Sequence, residues 1–210
     1  SPERLRSIKL KLEAAHQTNP VFDMLRFTRD LEVAYSSVAA SISDSGSLNT
    51  LKRKRFLHVG CGAQHKESTT RGFNTDDWTE LRLDINEAVQ PDIVGTMTDM
   101  ARVPDASVDA VFSSHNIEHL YPHEVPVALA EFLRVLKPDG FAIITCPDLK
   151  SVCALVADDK LGEPAYVSPA GPIAPLDILY GHRASLAAGN LYMAHRCGFT
   201  EKVLCDCLLS

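Results

Sequence analysis

The stretch that decides the fold runs Phe56-Leu57-His58-Val59-Gly60-Cys61-Gly62, with Leu81-Arg82-Leu83-Asp84 following a short way downstream. A brief apolar run that breaks into a glycine turn reads as a strand of an α/β sheet ending in a loop that lets a ligand approach the backbone. Glu80–Asp84 reads as a second strand ending on a carboxylate, where two ribose hydroxyls can be held. Together the two features point to an adenosine-containing ligand. A pyrophosphate loop of the G-x-G-x-x-G type needs glycine at position 65, where the chain has His65, and this argues against a dinucleotide.

Working outward, Asp92–Gly95 and Val108–Phe112 read as two further strands. Val125, Leu129, Phe132, Leu133 and Leu136 recur at helical spacing, with Pro126 in the first turn and Pro138-Asp139-Gly140 as a stop. Phe141–Cys146 is a continuous apolar run, the pattern of a strand buried on both faces. Strands alternating with helices predict a parallel sheet. Beyond Pro147 the chain is irregular, with prolines at 164, 169, 172 and 175. A helical stretch over 184–193 and a last helix capped by Thr200 complete it. Upstream, residues 1–42 lack glycine and carry apolar stripes, which predicts two helices joined at Thr18-Asn19-Pro20. Residues 43–50 are a linker by composition. The expected organisation is a helical extension and linker over 1–50 and a Rossmann-like domain over 51–210.

The chain has 210 residues, 21 Lys and Arg against 27 Asp and Glu, and a net charge of −6, with a pI near 5.7. That balance disfavours nucleic acid and membrane surfaces as partners. The basic run Lys52–Arg55 reads as a solvated lead-in to the first strand. Hydrophobic residues at 45% and charged residues at 23% are globular values, and no apolar run is long enough to span a bilayer. Six cysteines without a C-x-x-C pair read as small buried hydrophobes in a reduced, cytoplasmic setting. A first residue of Ser rather than Met leads us to expect a processed product or a piece of something longer.

HVGCGA (58–63), LRLDIN (81–86), DIVGTMTDM (92–100), SVDAVFSSHNIEHL (107–120) and EFLRVLKPDGFAIITCPDL (131–149) occur in this order. They resemble the successive motifs of class I S-adenosylmethionine-dependent methyltransferases, in particular the type 11-like subgroup with S-H-x-x-E-H-L after strand four. The resemblance covers roughly residues 55–150. It implies a Rossmann-like methyltransferase fold and S-adenosyl-L-methionine as cofactor. Carried over by position, Gly60, Cys61 and Gly62 line the methionine moiety and Asp84 holds the ribose. Ile85 packs on the adenine, Met97 and Thr98 border its edge, and Ser114 and His115 face the sulfonium and the acceptor. Three positions depart from the family pattern. His58 replaces the acidic residue of strand one, Gln64 replaces the third loop glycine, and Thr96 replaces an acidic residue near the adenine, with Asp99 as a stand-in.

His115, Glu118 and His119 share one face if their segment is helical. Three readings stay open for them: a substrate-facing catalytic His115, a metal triad resembling the E-x-x-E-H of ubiquinone-type O-methyltransferases, and a structural histidine. No metal is expected, because the group holds one carboxylate and shows no outer partner for its histidines. After strand five, Tyr180, His182 and His195 are acceptor-wall candidates beside ordinary packing residues, and His182 joins His115 as a catalytic candidate. The acceptor is expected to be a small molecule or a glycan. The glycan reading rests on FTRDLEVAY (27–35), which resembles segments beside helical repeats in bacterial glycosyltransferase-like proteins. The alternatives are a non-catalytic interaction module on a degenerate methyltransferase fold and a nicotinamide-dependent oxidoreductase, the latter disfavoured by His65. Five strands, rather than the seven of the class I fold, leave the edge of the last one open. A homo-oligomer across it, the N-terminal helices, or residues beyond 210 are the expected cover.

Overall fold

A computed structural model describes residues 53–209. The expected N-terminal helices and their linker lie outside the described residues. Five parallel strands form the sheet: β1 (Lys54–Val59), β2 (Trp78–Asp84), β3 (Ile93–Val94), β4 (Val108–Ser114) and β5 (Leu136–Thr145), in the order β3-β2-β1-β4-β5. The first strand is thus central, and the carboxy ends of β1, β2 and β4 lie side by side. This is a Rossmann-like α/β fold with fewer strands than the class I methyltransferase sheet.

The two faces of the sheet are covered by different means. Leu57, Val59, Leu83 and Val111 pack against Phe132 and Val135 of α1 (Val125–Val135), and against Met100 and Val103. On the other face Phe56, Ala110 and Phe112 meet Phe73. Phe73 comes from the β1–β2 connection, where residues 60–77 hold only the short 3-10 turn Lys66–Ser68. The Phe56 and Phe73 rings stack at 4.3 Å, and Trp78 stands edge-on to Phe73 at 4.9 Å. An aromatic plug thus takes the place of a crossover helix.

Several details correct the sequence reading. Leu133, expected on the buried stripe of α1, is 75% exposed, and the buried positions are Val125, Ala128, Phe132 and Val135. The helix ends at Val135, ahead of the Pro138-Asp139-Gly140 stop, because Leu136 already pairs with Val108. The register then jumps to Ala110↔Phe141, so residues 137–140 bulge out. β5 is not buried on both faces: Phe141 is 43% exposed, as befits an edge strand. Among the cysteines only Cys61 is buried, while Cys153 and Cys205 are exposed.

Beyond β5 come α2 (Leu149–Ala157), β6 (Tyr166–Ser168), β7 (Gly171–Ile173), α3 (Pro175–Tyr180), α4 (Arg183–Ala187), a 3-10 turn at Leu191–Met193 and α5 (Glu201–Leu209). Strands β6 and β7 make their own antiparallel hairpin and do not extend β5. They lie where the sequence read as irregular, the prolines at 164, 169 and 172 having masked two very short strands. Asp148 caps α2 through the N–H groups of Lys150 and Ser151. No helix of the described residues is long and apolar enough to cross a membrane.

Candidate functional site

The glycine loop follows β1. Gly60 and Gly62 sit at φ +61° and +53°, a left-handed backbone that side chains disfavour. At Gly60 space is also lacking, since a Cβ there would lie 2.1 Å from Asn116 Oδ1. Asn116 Nδ2 donates to Val59 O at 2.9 Å and to Ser114 O at 3.0 Å, tying the turn after β4 to the end of β1. Around Gly62 a Cβ would meet nothing within 4 Å, so the loop is open on that side.

Asp84 ends β2 and is 8% exposed. Its carboxylate accepts the Gly62 N–H at 2.7 Å and the Asn86 N–H at 2.8 Å. Each oxygen keeps a second lone pair for a hydroxyl donor. The carboxylate therefore braces the loop it was expected only to complement. Arg82, which the sequence reading passed over, does the rest. Its buried guanidinium donates to Gln64 O at 3.1 Å, Gly62 O at 2.6 Å, Gln90 O at 2.9 Å and Val89 O at 3.3 Å. The signal was present as a cation between Leu81 and Leu83, because a charge is buried only when its donors are answered.

His58, the departure in β1, is buried and bonds Glu80 Oε1 through Nδ1 at 2.6 Å, while Glu80 Oε2 takes the Lys66 N–H at 3.0 Å. Burial holds its pKa below the ordinary histidine value despite that carboxylate. A carboxylate from β2 thus faces the position where the family has one in β1. Burial also pushes the Cys61 thiol up to about 11, which keeps it protonated and unreactive. Ile85 is 46% exposed next to Asp84, leaving apolar surface at the mouth. Met97 packs on two core clusters. Thr98 bonds Thr96 through both its N–H and its hydroxyl. Asp99 pairs with Thr96 in an isolated bridge. The Met100 N–H reaches Glu131 Oε2 at 2.7 Å and Arg134 holds the Met100 and Val103 carbonyls, so α1 fixes this loop.

After β4, Ser114 Oγ bonds Thr145 Oγ1 at 2.8 Å across to β5. His115 is exposed and has φ +56°, an unusual backbone for a non-glycine residue. Its Nδ1 lies 3.4 Å from Glu118 Oε1, and that carboxylate raises its pKa. The helix that would align His115, Glu118 and His119 is absent: only Ile117–His119 form a single 3-10 turn, and His115 lies outside it. The structure instead gathers Glu118, His119 and His195, whose ligand atoms all lie within 4.8 Å of one another. His182 bonds Ser185 Oγ through Nδ1 at 2.8 Å at the start of α4. Tyr180 is 64% exposed and its carbonyl accepts the His195 N–H at 3.2 Å.

Spare lone pairs on Asp84, an open side at Gly62 and apolar Ile85 lie at the carboxy ends of β1 and β2, groups of the kinds an adenosine ligand requires. The fit to a pyrophosphate is poor, because among the described residues no α-helix follows the loop directly to present its N-terminus.

Residues 57–144 match the family model described as a methyltransferase domain. This segment, under half of the chain, has a class I methyltransferase-like fold. No curated protein matches the chain. Among solved structures, it is similar to a SAM dependent methyltransferase from Archaeoglobus fulgidus, at 18% identity and TM-score 0.46, over 85% of this chain and 66% of that one. It is also similar to the 1,6-didemethyltoxoflavin-N1-methyltransferase of Burkholderia thailandensis, solved with 1,6-didemethyltoxoflavin and S-adenosylhomocysteine. There the identity is 15% and the TM-score 0.43, over 86% of this chain and 73% of that one. The chain thus spans just under two thirds of the Archaeoglobus structure.

Proposed function

We propose that the protein transfers a methyl group from S-adenosyl-L-methionine to a small-molecule or glycan acceptor. The observation that carries this reading is the conjunction of the methyltransferase-domain match over 57–144 with a glycine loop and Asp84 at adjoining strand ends. In it, Gly60, Cys61 and Gly62 contact the methionine moiety and Asp84 accepts the ribose hydroxyls. Ile85, Met97 and Thr98 flank the adenine, and Ser114 lies nearest the acceptor side. S-adenosylmethionine supplies an already activated methyl sulfonium, so the chain's task is alignment and exclusion of water. His115, exposed and next to Glu118, takes a proton from the acceptor where one must leave. The Glu118 carboxylate raises its pKa, which strengthens it as a base. His182 enters as an acceptor contact rather than as a partner of His115. The division into an extension over 1–50 and a catalytic domain over 51–210, and a cytoplasmic setting, belong to the same reading.

A second reading, a non-catalytic interaction module, draws on one observation: Asp84 and Ser114 already spend their polar groups on internal hydrogen bonds. Calorimetry with S-adenosylmethionine and S-adenosylhomocysteine separates the two. Saturable binding that is lost in Gly62→Val supports the enzyme. No binding by a folded protein supports the module.

A further inference from the structure

We infer that Glu118, His119 and His195 form a binding site for one divalent transition-metal ion. The inference goes beyond methyl transfer and does not rest on it. Glu118 is 1% exposed, and among the described residues neither carboxylate oxygen has a hydrogen-bond partner. A buried, unanswered carboxylate costs several kcal/mol unless a cation or proton meets it. His115 Nδ1 lies 3.4 Å from Oε1 without hydrogen-bond alignment, and its ring is mostly in solvent.

The two other side chains are poised as ligands. His119 Nδ1 lies 3.1 Å from the Ala194 carbonyl and His195 Nδ1 lies 2.6 Å from the Ile178 carbonyl. A carbonyl only accepts, so both Nδ1 atoms carry the proton and both Nε2 atoms present lone pairs. That arrangement fixes tautomer and ring plane in metal-binding histidines. The rings stand nearly perpendicular, with centroids 4.8 Å apart.

The backbone is built to hold the trio. The Arg196 and Cys197 N–H groups both donate to the Glu118 carbonyl, at 2.9 and 3.2 Å. Gly181, at φ +103°, lets the chain at 193–194 approach so closely that a Cβ there would lie 2.0 Å from Met193 O. Tetrahedral ligands on zinc sit about 3.3 Å apart at bond lengths of about 2.0–2.1 Å, so binding draws the three atoms inward by side-chain rotation. Two imidazoles and one carboxylate select Zn²⁺, Fe²⁺ or a neighbouring ion over Mg²⁺ and Ca²⁺, which take oxygen ligands.

The test is calorimetric titration of chelator-treated full chain with Zn²⁺, with thermal melting alongside and Co²⁺ absorption as a ligand probe. One ion per chain, a rise in melting temperature, and a Co²⁺ spectrum free of thiolate charge-transfer bands are expected. His195→Ala should weaken binding at least tenfold while the metal-free protein stays folded. Cys197→Ser should bind as the parent does. Absence of stoichiometric binding, equal binding by His195→Ala, or a thiolate spectrum pointing to Cys146 or Cys197 would each overturn the assignment. If Glu118→Gln fails to fold, the histidine variant still decides the matter.

Discussion

Two buried carboxylates lie at the carboxy side of strands that flank β1, and they are treated in opposite ways. Asp84, after β2, holds two backbone N–H groups and sits among the carbonyls that Arg82 gathers. Glu118, after β4, is more deeply buried, and its carboxylate has no hydrogen bond among the described residues. Burial alone therefore does not distinguish a structural carboxylate from a functional one. What distinguishes them is whether the protein itself satisfies the charge. Asp84 serves the shape of the loop and offers a ligand only what remains, whereas Glu118 is held in reserve.

The largest effect should come from Asp84→Ala. It strips two charge-assisted hydrogen bonds and leaves two N–H groups unanswered, a loss on the order of 3 kcal/mol. Urea denaturation should show this, and calorimetry should show S-adenosylmethionine binding abolished. A variant as stable as the parent would mean the brace is dispensable and would erase the contrast with Glu118. Arg82→Met should cost somewhat less, about 2 kcal/mol, since the released carbonyls of Gln64 and Gln90 lie near enough to the surface to find water. Faster hydrogen exchange at residues 60–66, with the β4–β5 amides unchanged, would place that damage in the loop.

A smaller effect follows from His58. Its pKa is lowered in the fold, so below the ordinary value of 6.5 the unfolded chain takes up a proton that the folded chain refuses. Its contribution is full above that value and is lost as pH falls below it, down to the folded pKa. Melting temperatures from pH 8 to 5 should therefore fall less steeply in His58→Asn than in the parent. Parallel curves would mean that the fold leaves the His58 pKa unshifted, and a steeper fall in the variant would mean that His58 is held charged beside Glu80. The smallest effect is expected at Glu118. Replacing an unanswered buried carboxylate by Met, of similar volume, should leave the metal-free protein at least as stable as the parent. A loss comparable to that of Asp84→Ala would show that Glu118 is braced after all.

The loop side of this comparison was legible in the sequence, because glycine turns and strand-end carboxylates act locally. Gly60 and Gly62 lie in the turn after β1 and Asp84 at the end of β2, and the parallel pairing of the sheet follows from the alternation of elements. The brace was less legible, since Arg82 reads as an ordinary strand residue until its four carbonyls are seen. The histidine side was barely legible. His119 and Glu118 adjoin, but the carbonyls of Ile178 and Ala194 that orient the rings come from a stretch with no strong period. A 3-10 turn in place of a helix also removed His115 from the face it was expected to share. β5 was anticipated as an edge strand and is one in the described sheet, yet its apolar run read as two-sided burial because hydrophobicity does not record sheet position.

One consequence follows from the 75 positions of sequence between His119 and Ala194, whose carbonyl it holds. Everything between them, including β5 and the β6–β7 hairpin, forms a topologically closed excursion whose two ends are pinned together. Closing such a length costs little more entropy than closing half of it. The excursion can therefore vary in length at its exposed segment 157–167 while the pinned ends keep their place. A single proteolytic nick in that segment would leave two polypeptides that still behave as one particle.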